Sequence, residues 1–209
     1  MTQNNNFDQI LKGRKSIKVF DENYKIPREE MDEIIEKATL APSSVNMQPW
    51  RMVVVDTPEG KEKLRPLMSM NTRQNDTSSA MIVIFGDLHN YEHAEHIYGS
   101  QVERGFMTEE IKTQFLDWVV PYYKGLTTEQ MTSIVNIDSS LMAMQLMLVA
   151  KAHGYDTNPI GGFDRANMAA CFDMNPERYI PVMVLAIGKK AQEGHSSYRM
   201  PVESVRQYF

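Results

Sequence analysis

Three separated stretches of this chain carry side chains able to hold a small charged or heteroaromatic ligand. Arg14, Lys15, Ser16, Ile17 and Lys18 bring three cations and a hydroxyl together within five residues. A phosphate group is held by fixed cationic donors assisted by hydroxyl and backbone N–H groups, and Arg14 with Ser16 could supply both kinds. The polar loop Pro42-Ser43-Ser44-Val45-Asn46-Met47-Gln48-Pro49-Trp50 offers hydroxyls and two side-chain amides, while Pro159-Ile160-Gly161-Gly162-Phe163 presents backbone close to a paired glycine. Amides and open backbone N–H groups suit the edge of a planar heterocycle. None of the three decides a function alone, and on charge pattern the basic run reads more readily as a solvated patch.

Two other groups compete for chemistry. His89, His93 and His96, interleaved with Glu92 and Glu95, have a spacing that would align His89 and His93 on one helix face. Glu92 precedes His93 instead of following the first histidine, so the pattern is not that of a zinc protease, and a charged, solvated helix is the better reading. No metal is expected. Cys171 is the only cysteine. With no histidine near it in sequence, it reads as a small buried apolar residue and not as a nucleophile.

The elements that must position these groups are partly visible. Residues 7–12 form a short helix ended by Gly13, which places the basic run at a helix exit. Pro27, followed by Glu29 and Glu30 and by Met31, Ile34, Ile35 and Ala38 at helical spacing, opens a stronger helix that stops near Pro42. Residues 52–55, 81–85 and 182–187 are short apolar runs rich in β-branched residues and predict buried strands. Residues 130–153 predict a long helix with apolar positions on nearly every face of its second half. Such a helix must be buried all round, which suggests that a second subunit helps to cover it. Residues 156–162 read as irregular, leading into a short helix at 166–171, and residues 202–208 as a possible final strand. Helices and strands interleave without regular βαβ spacing, so the class is α+β.

The chain has 209 residues, 42% of them hydrophobic and 23% charged, enough to bury one core, and one domain over residues 1–209 is the default. A net charge of −5 offers no general attraction for nucleic acid or anionic membrane. The polar N-terminal stretch, the single cysteine and the lack of an apolar run near the ~20 residues of a membrane span point to a cytoplasmic protein.

Arg14-Lys15-Ser16-Ile17-Lys18-Val19-Phe20 resembles the R-x-S-x-R/K-x-F opening of the FMN-dependent nitroreductases, and Ala41-Pro42-Ser43-Ser44-Val45-Asn46-Met47-Gln48-Pro49-Trp50 resembles their A-P-S-S-x-N-x-Q-P-W loop. Pro159-Ile160-Gly161-Gly162-Phe163-Asp164 is similar to a third signature and Ser197-Tyr198-Arg199-Met200-Pro201 to the basic tail, in consistent order along the chain.

The resemblance implies a nitroreductase-like fold with a mostly antiparallel central sheet flanked by helices, a homodimer built around the long helix, and a tail of about residues 189–209 embracing the partner. It implies FMN bound between subunits, NADH or NADPH as donor, and a small acceptor such as a nitroaromatic, a quinone or a flavin, reduced by a ping-pong sequence. By residue, Arg14 and Arg199 would hold the phosphate with Ser16 and Lys15 beside it, Lys18 would face the pyrimidine end, and Asn71 would bond the pyrimidine edge. Ile160, Gly161 and Gly162 would lie along the ring, the two glycine amides directed at N5 and O4. Pro42, Ser43, Ser44 and Asn46 would pack on the flavin from the other subunit. No side chain is expected to act as acid, base or nucleophile, because the flavin reacts. Some members carry Glu at the Gly161 position and Lys at the Ser197 position, so this chain departs from them at both. Aromatic residues Phe106, Phe115, Trp118, Tyr122 and Tyr123 fall in the stretch that covers the active site in the family, though packing against the core is their simpler role. The other functional class compatible with the residues is a non-catalytic FMN-binding carrier or sensor. Flavin-cleaving and dehalogenating relatives would need lid residues that are not recognisable here.

Overall fold

Apolar runs and amphipathic stretches resolve into a sheet covered on both faces. The computed structural model describes residues 4–209. In chain order its elements are α1 (Phe7–Gly13), α2 (Arg28–Ala38), β1 (Trp50–Val55), α3 (Pro58–Leu64), α4 (Thr72–Thr77), β2 (Ala80–Asp87), α5 (Ala94–Glu103), α6 (Glu109–Lys124), α7 (Thr128–Ala152), β3 (Asp156–Ile160), α8 (Arg165–Cys171) and β4 (Tyr179–Gly188). The strands form one four-stranded sheet in the order β1-β2-β4-β3. Every neighbouring pair is antiparallel, so the α+β expectation holds.

Strand periodicity divides the core into two layers. Ile82, Ile84, Leu185 and Ile187 face one way, onto Met31, Ile34 and Ala38 of α2 and Met142, Ala143, Leu146 and Ala150 of α7. Met81, Val83, Phe85, Val184 and Ala186 face the other way, onto Ile17, Phe20, Leu64, Met68 and Met168. A third cluster joins Met47, Tyr98, Val119, Tyr123, Met131 and Val135, and ties α5 and α6 to the first half of α7.

The close fit of α7 on the sheet depends on Gly86. A Cβ there would lie 2.6 Å from Val135 Cγ2, so any larger residue would push the helix away. At its start α7 is fixed by a capping box in which Gln130 N donates to Thr127 Oγ1 (3.2 Å) and Thr127 N donates to Gln130 Oε1 (2.9 Å). By length and composition α7 could cross a membrane. Its buried face, packed on the sheet and α2, makes it a core helix. It is not buried all round within one chain, because Ile137, Leu141 and Met144 are 60%, 46% and 40% exposed. Their spacing puts them on one outward stripe.

Three local expectations are corrected. Residues 156–160 are not irregular but form β3, since β4 pairs with them on one side and Ser16 bridges Thr157 on the other. Ile17 N donates to Thr157 O at 3.0 Å and Asn158 Nδ2 donates to Ile17 O at 3.0 Å, which seals the edge. Residues 202–208 form no strand, only a 3-10 turn at Val202–Ser204. His89 and His93 do not share a helix face, because Asn90–His93 is a separate 3-10 turn before α5. Cys171 ends α8 half-buried, its Sγ 3.7 Å from Lys63 O, and burial pushes the thiol up from its ordinary range.

Two charged groups are buried at structural joints. Asp87, fully buried, accepts from Arg178 Nε and Nη2 at 2.8 and 3.0 Å and from Arg51 at 3.3 Å, and also caps His89 N at 2.9 Å. That network fixes the approach to α5 at the end of β2. Lys61 of α3 lies buried with its ammonium donating to Ser78 O, and burial lowers it to about 8. Lysine in the unfolded chain titrates near 10.4. Between those values the unfolded chain binds more protons than the folded one, so stability contributed at this site rises with pH from about 8 to about 10.4. Urea unfolding across that range should therefore show a rising increment in the wild type that is missing from Lys61→Met; identical pH profiles would refute the assignment.

Candidate functional site

The basic segment and the paired glycines come together because β3 joins them. Ser16 lies beside Thr157 at the start of β3, and Gly161 and Gly162 follow its last residue, Ile160. Both glycines are exposed, and neither amide donates to another described residue. Asn71, at the end of the turn Arg65–Asn71, donates from Nδ2 to Gly162 O at 2.8 Å, while Gln74 Nε2 donates to Asn71 Oδ1 at 3.1 Å. The asparagine is thus oriented by one amide and holds the glycine turn with the other.

Ser16 and Lys18 line a cavity of about 100 Å³ with Arg73, His195, Gly194 and Glu193, whose carboxylate pairs with Lys190 at 2.6 Å. Gly194 is required there, since a Cβ would come within 2.9 Å of Lys15 Cβ and 3.1 Å of Ser16 O. Arg14 caps the exit of α1, half-buried, its N bonded to Ile10 O. Arg73 and His195 were not read from the sequence. Arg73 follows Asn71 on the same helical turn, which was an available signal; His195 sits in a polar tail with no local pattern. Arg199 does not join this cluster within the chain: its guanidinium bonds Ser197 Oγ and Tyr198 O on an exposed tail.

The second half of the expected site stands apart, on α7 and the elements packed against it. Ser44 N donates to the buried Asp138 carboxylate of α7 at 3.0 Å, Tyr123 OH of α6 bonds Ser44 Oγ at 2.9 Å, and Tyr98 OH of α5 donates to Val45 O at 2.8 Å. Gln48 N closes the loop on Ser43 Oγ at 3.0 Å. These bonds hold Val45, Asn46 and Gln48 at φ of 44°, 58° and 45°. A β-branched residue such as Val45 is disfavoured there by roughly 1–3 kcal/mol, so the surrounding bonds must impose the shape. Burial raises the Asp138 carboxyl above its usual range, an effect partly offset by the Ser44 amide.

Pro42, Ser44 and Asn46 are exposed and Ser43 is half-buried. Asn46 and Gln48 line a second cavity of about 470 Å³ with His96 and Arg104 of the α5 region and with Phe106. Of the five aromatic residues in this stretch, Tyr123 is buried and Phe115 packs edge-on against Tyr98. Phe106, Trp118 and Tyr122 are exposed, contrary to simple core packing. Among the described residues no group of three or more His, Cys, Asp or Glu side chains is arranged to hold a metal ion.

Comparison with known proteins gives a consistent neighbourhood. The Nitroreductase family model matches residues 11–189. The provisionally named NAD(P)H nitroreductase YdgI of Bacillus subtilis is 50% identical over the whole of both chains. A crystal structure of a provisionally named NAD(P)H:FMN oxidoreductase from Staphylococcus epidermidis is 64% identical, covers 100% of this chain and 98% of its own, and superposes with a TM-score of 0.98. A provisionally named nitroreductase from Exiguobacterium sibiricum, solved in complex with FMN, is 46% identical, covers 99% of both chains and has a TM-score of 0.96.

Asp138 should prove to be the anchor of the strained loop. In Asp138→Ala, hydrogen exchange at the Ser44 amide is expected to accelerate by about 10-fold or more, the loss of one charge-assisted bond. Asp138→Asn keeps an acceptor oxygen and should stay within about 3-fold of wild type on the same scale; equal acceleration in both variants would contradict the anchoring.

Proposed function

The chain belongs to the nitroreductase family, and on that premise we propose that it is an FMN-dependent oxidoreductase that takes hydride from NADH or NADPH and reduces a small acceptor. Overall, NAD(P)H and a proton yield NAD(P)⁺ and an acceptor carrying two more electrons and two more protons. The single observation that carries this reading is the juxtaposition of Ser16, Lys18 and Arg73 at one cavity, where the lining carboxylate, Glu193, is paired with Lys190, with two unengaged glycine amides beside Asn71.

FMN fits that donor set. Arg14, Lys15 and Ser16 would hold its phosphate, with Arg199 from the tail. Lys18 would place a positive charge at the pyrimidine end, Asn71 would bond its edge, and Ile160, Gly161 and Gly162 would line the ring, the two glycines with their N–H groups. When bound, FMN supplies the hydride-accepting and hydride-donating centre. The chain's contribution is electrostatic: a cation where negative charge develops, and fixed N–H donors that need not reorganise. No side chain in either half is placed to act as nucleophile, and none is needed. Donor and acceptor would use one face in turn, which gives ping-pong kinetics.

Pro42, Ser43, Ser44 and Asn46 would complete the site from a second copy of the chain. The separation of the two halves within one chain supports this, as does the outward stripe of Ile137, Leu141 and Met144 on the same helix that anchors the loop. The tail of residues 189–209 would wrap the partner: Tyr198, Met200, Val202, Val205 and Tyr208 are all exposed, an unfavourable arrangement for an isolated chain.

Anaerobic addition of NADH and then NADPH to the FMN-loaded protein should bleach the flavin's visible absorbance and identify the preferred donor. Flavin that neither donor bleaches would overturn the oxidoreductase reading. Leu141→Asp should convert the sedimenting species to monomer and weaken FMN binding by about 10-fold or more, as expected when a charge must be buried in the interface and half the site is lost; a dimer with undiminished FMN affinity would place the interface elsewhere.

A further inference from the structure

The cavity of about 470 Å³ between the Asn46–Gln48 turn and α5 is built for more than shape. Its polar and aromatic lining includes Asn46, Gln48, His96, Gln101, Arg104 and Phe106, and no carboxylate lines it. In a chain with net charge −5, a cavity of that composition is a local exception. Arg104 is exposed at the end of α5 and makes no ion pair among the described residues. Arg51, which donates to Gln48 O at 3.0 Å under the turn, behaves differently, since it is committed to Asp87. The Arg104 backbone is fixed at the helix end, its N bonded to Ser100 O at 3.2 Å, and its guanidinium lines the cavity without an ion-pair partner among the described residues.

Phe106 is 75% exposed beside it. The turn that presents it is ordered: Gly105 N donates to Val102 O at 2.9 Å and Phe106 N to Gln101 O at 2.8 Å, with Gly105 at φ +72°. An exposed aromatic ring on an ordered turn, lining one cavity with an unpaired guanidinium and three side-chain amides, matches a flat conjugated molecule with an anionic end.

We propose that this cavity is the acceptor subsite and that it selects conjugated acceptors bearing a carboxylate, with Arg104 as the residue that recognises the charge and Phe106 as the stacking face. The proposal rests on the oxidoreductase reading above and adds the chemical class of its acceptor. An arginine–carboxylate pair is directional and bidentate, so a neutral isostere of the same size and conjugation loses the interaction while keeping the stack.

The test compares 4-nitrobenzoate with 4-nitrobenzamide on the oxidised, FMN-loaded protein, by calorimetry and then by the rate of reoxidation of the donor-reduced protein. The wild type is expected to prefer the carboxylate by about 10-fold in both measurements. Arg104→Gln should bring that ratio close to one, and Arg104→Lys should retain part of it because the charge survives without the fork. A ratio unchanged by Arg104→Gln, or both ligands weakened equally, overturns the proposal. So does an Arg104→Gln variant that keeps its carboxylate preference but loses NADPH relative to NADH, which would assign the charge to the donor's phosphate. Failure of the underlying reading is separately visible, as flavin that neither donor reduces, while the calorimetric ratio still tests the subsite.

Discussion

The close seating of α7 on the sheet at Gly86 is the constraint from which most of this molecule follows. With Val135 pressed into the space a side chain would have taken, the helix lies near enough for Met142, Leu146 and Ala150 to share a core with β2 and β4. One turn beyond Val135 the same helix presents Asp138 to the Ser44 amide. One contact thus sets both the core spacing and the height of the polar loop above it, and a substitution at Gly86 would act on the site through geometry without touching a ligand.

The two halves of the site are preorganised by different means. On the side of β3, shape comes from strand pairing: the Ser16 bridge and the Ile17 and Asn158 bonds fix the basic segment, and the glycine turn follows directly from the strand end. On the side of α7, shape comes from side chains on three helices, which hold unfavourable backbone angles at Val45, Asn46 and Gln48. Strain of that kind persists only where the surroundings over-determine it. In the proposed dimer, a rigid half from one chain would meet a rigid half from the other, so little ordering would remain to be done when the cofactor binds.

Much of the sheet was legible because its strands are short apolar runs, and α7 because its apolar positions are dense. The basic segment, the polar loop and the glycine pair were legible as motifs. β3 was not, since Asp156, Thr157, Asn158 and Pro159 are turn formers by local preference and become a strand only when β4 and the segment at Ser16 supply partners on both sides. Arg73 and His195 were missed for a related reason: 122 residues of chain separate them, and only the fold brings them to one cavity. The Asn46–Arg104 cavity likewise has no sequence signature, because α5 contributes isolated polar residues to it.

The bridge between Ser16 and Thr157 has a meaning beyond ligand binding. β3 is the last strand on its side of the sheet, and without a cover its unpaired backbone groups would be a template for another chain's strand. The segment that carries the cations is also the guard of that edge. A protein that frays at residues 14–18 would therefore lose colloidal behaviour along with the proposed phosphate contacts, and edge-to-edge aggregation, not slow loss of cofactor, would be the visible symptom of damage there.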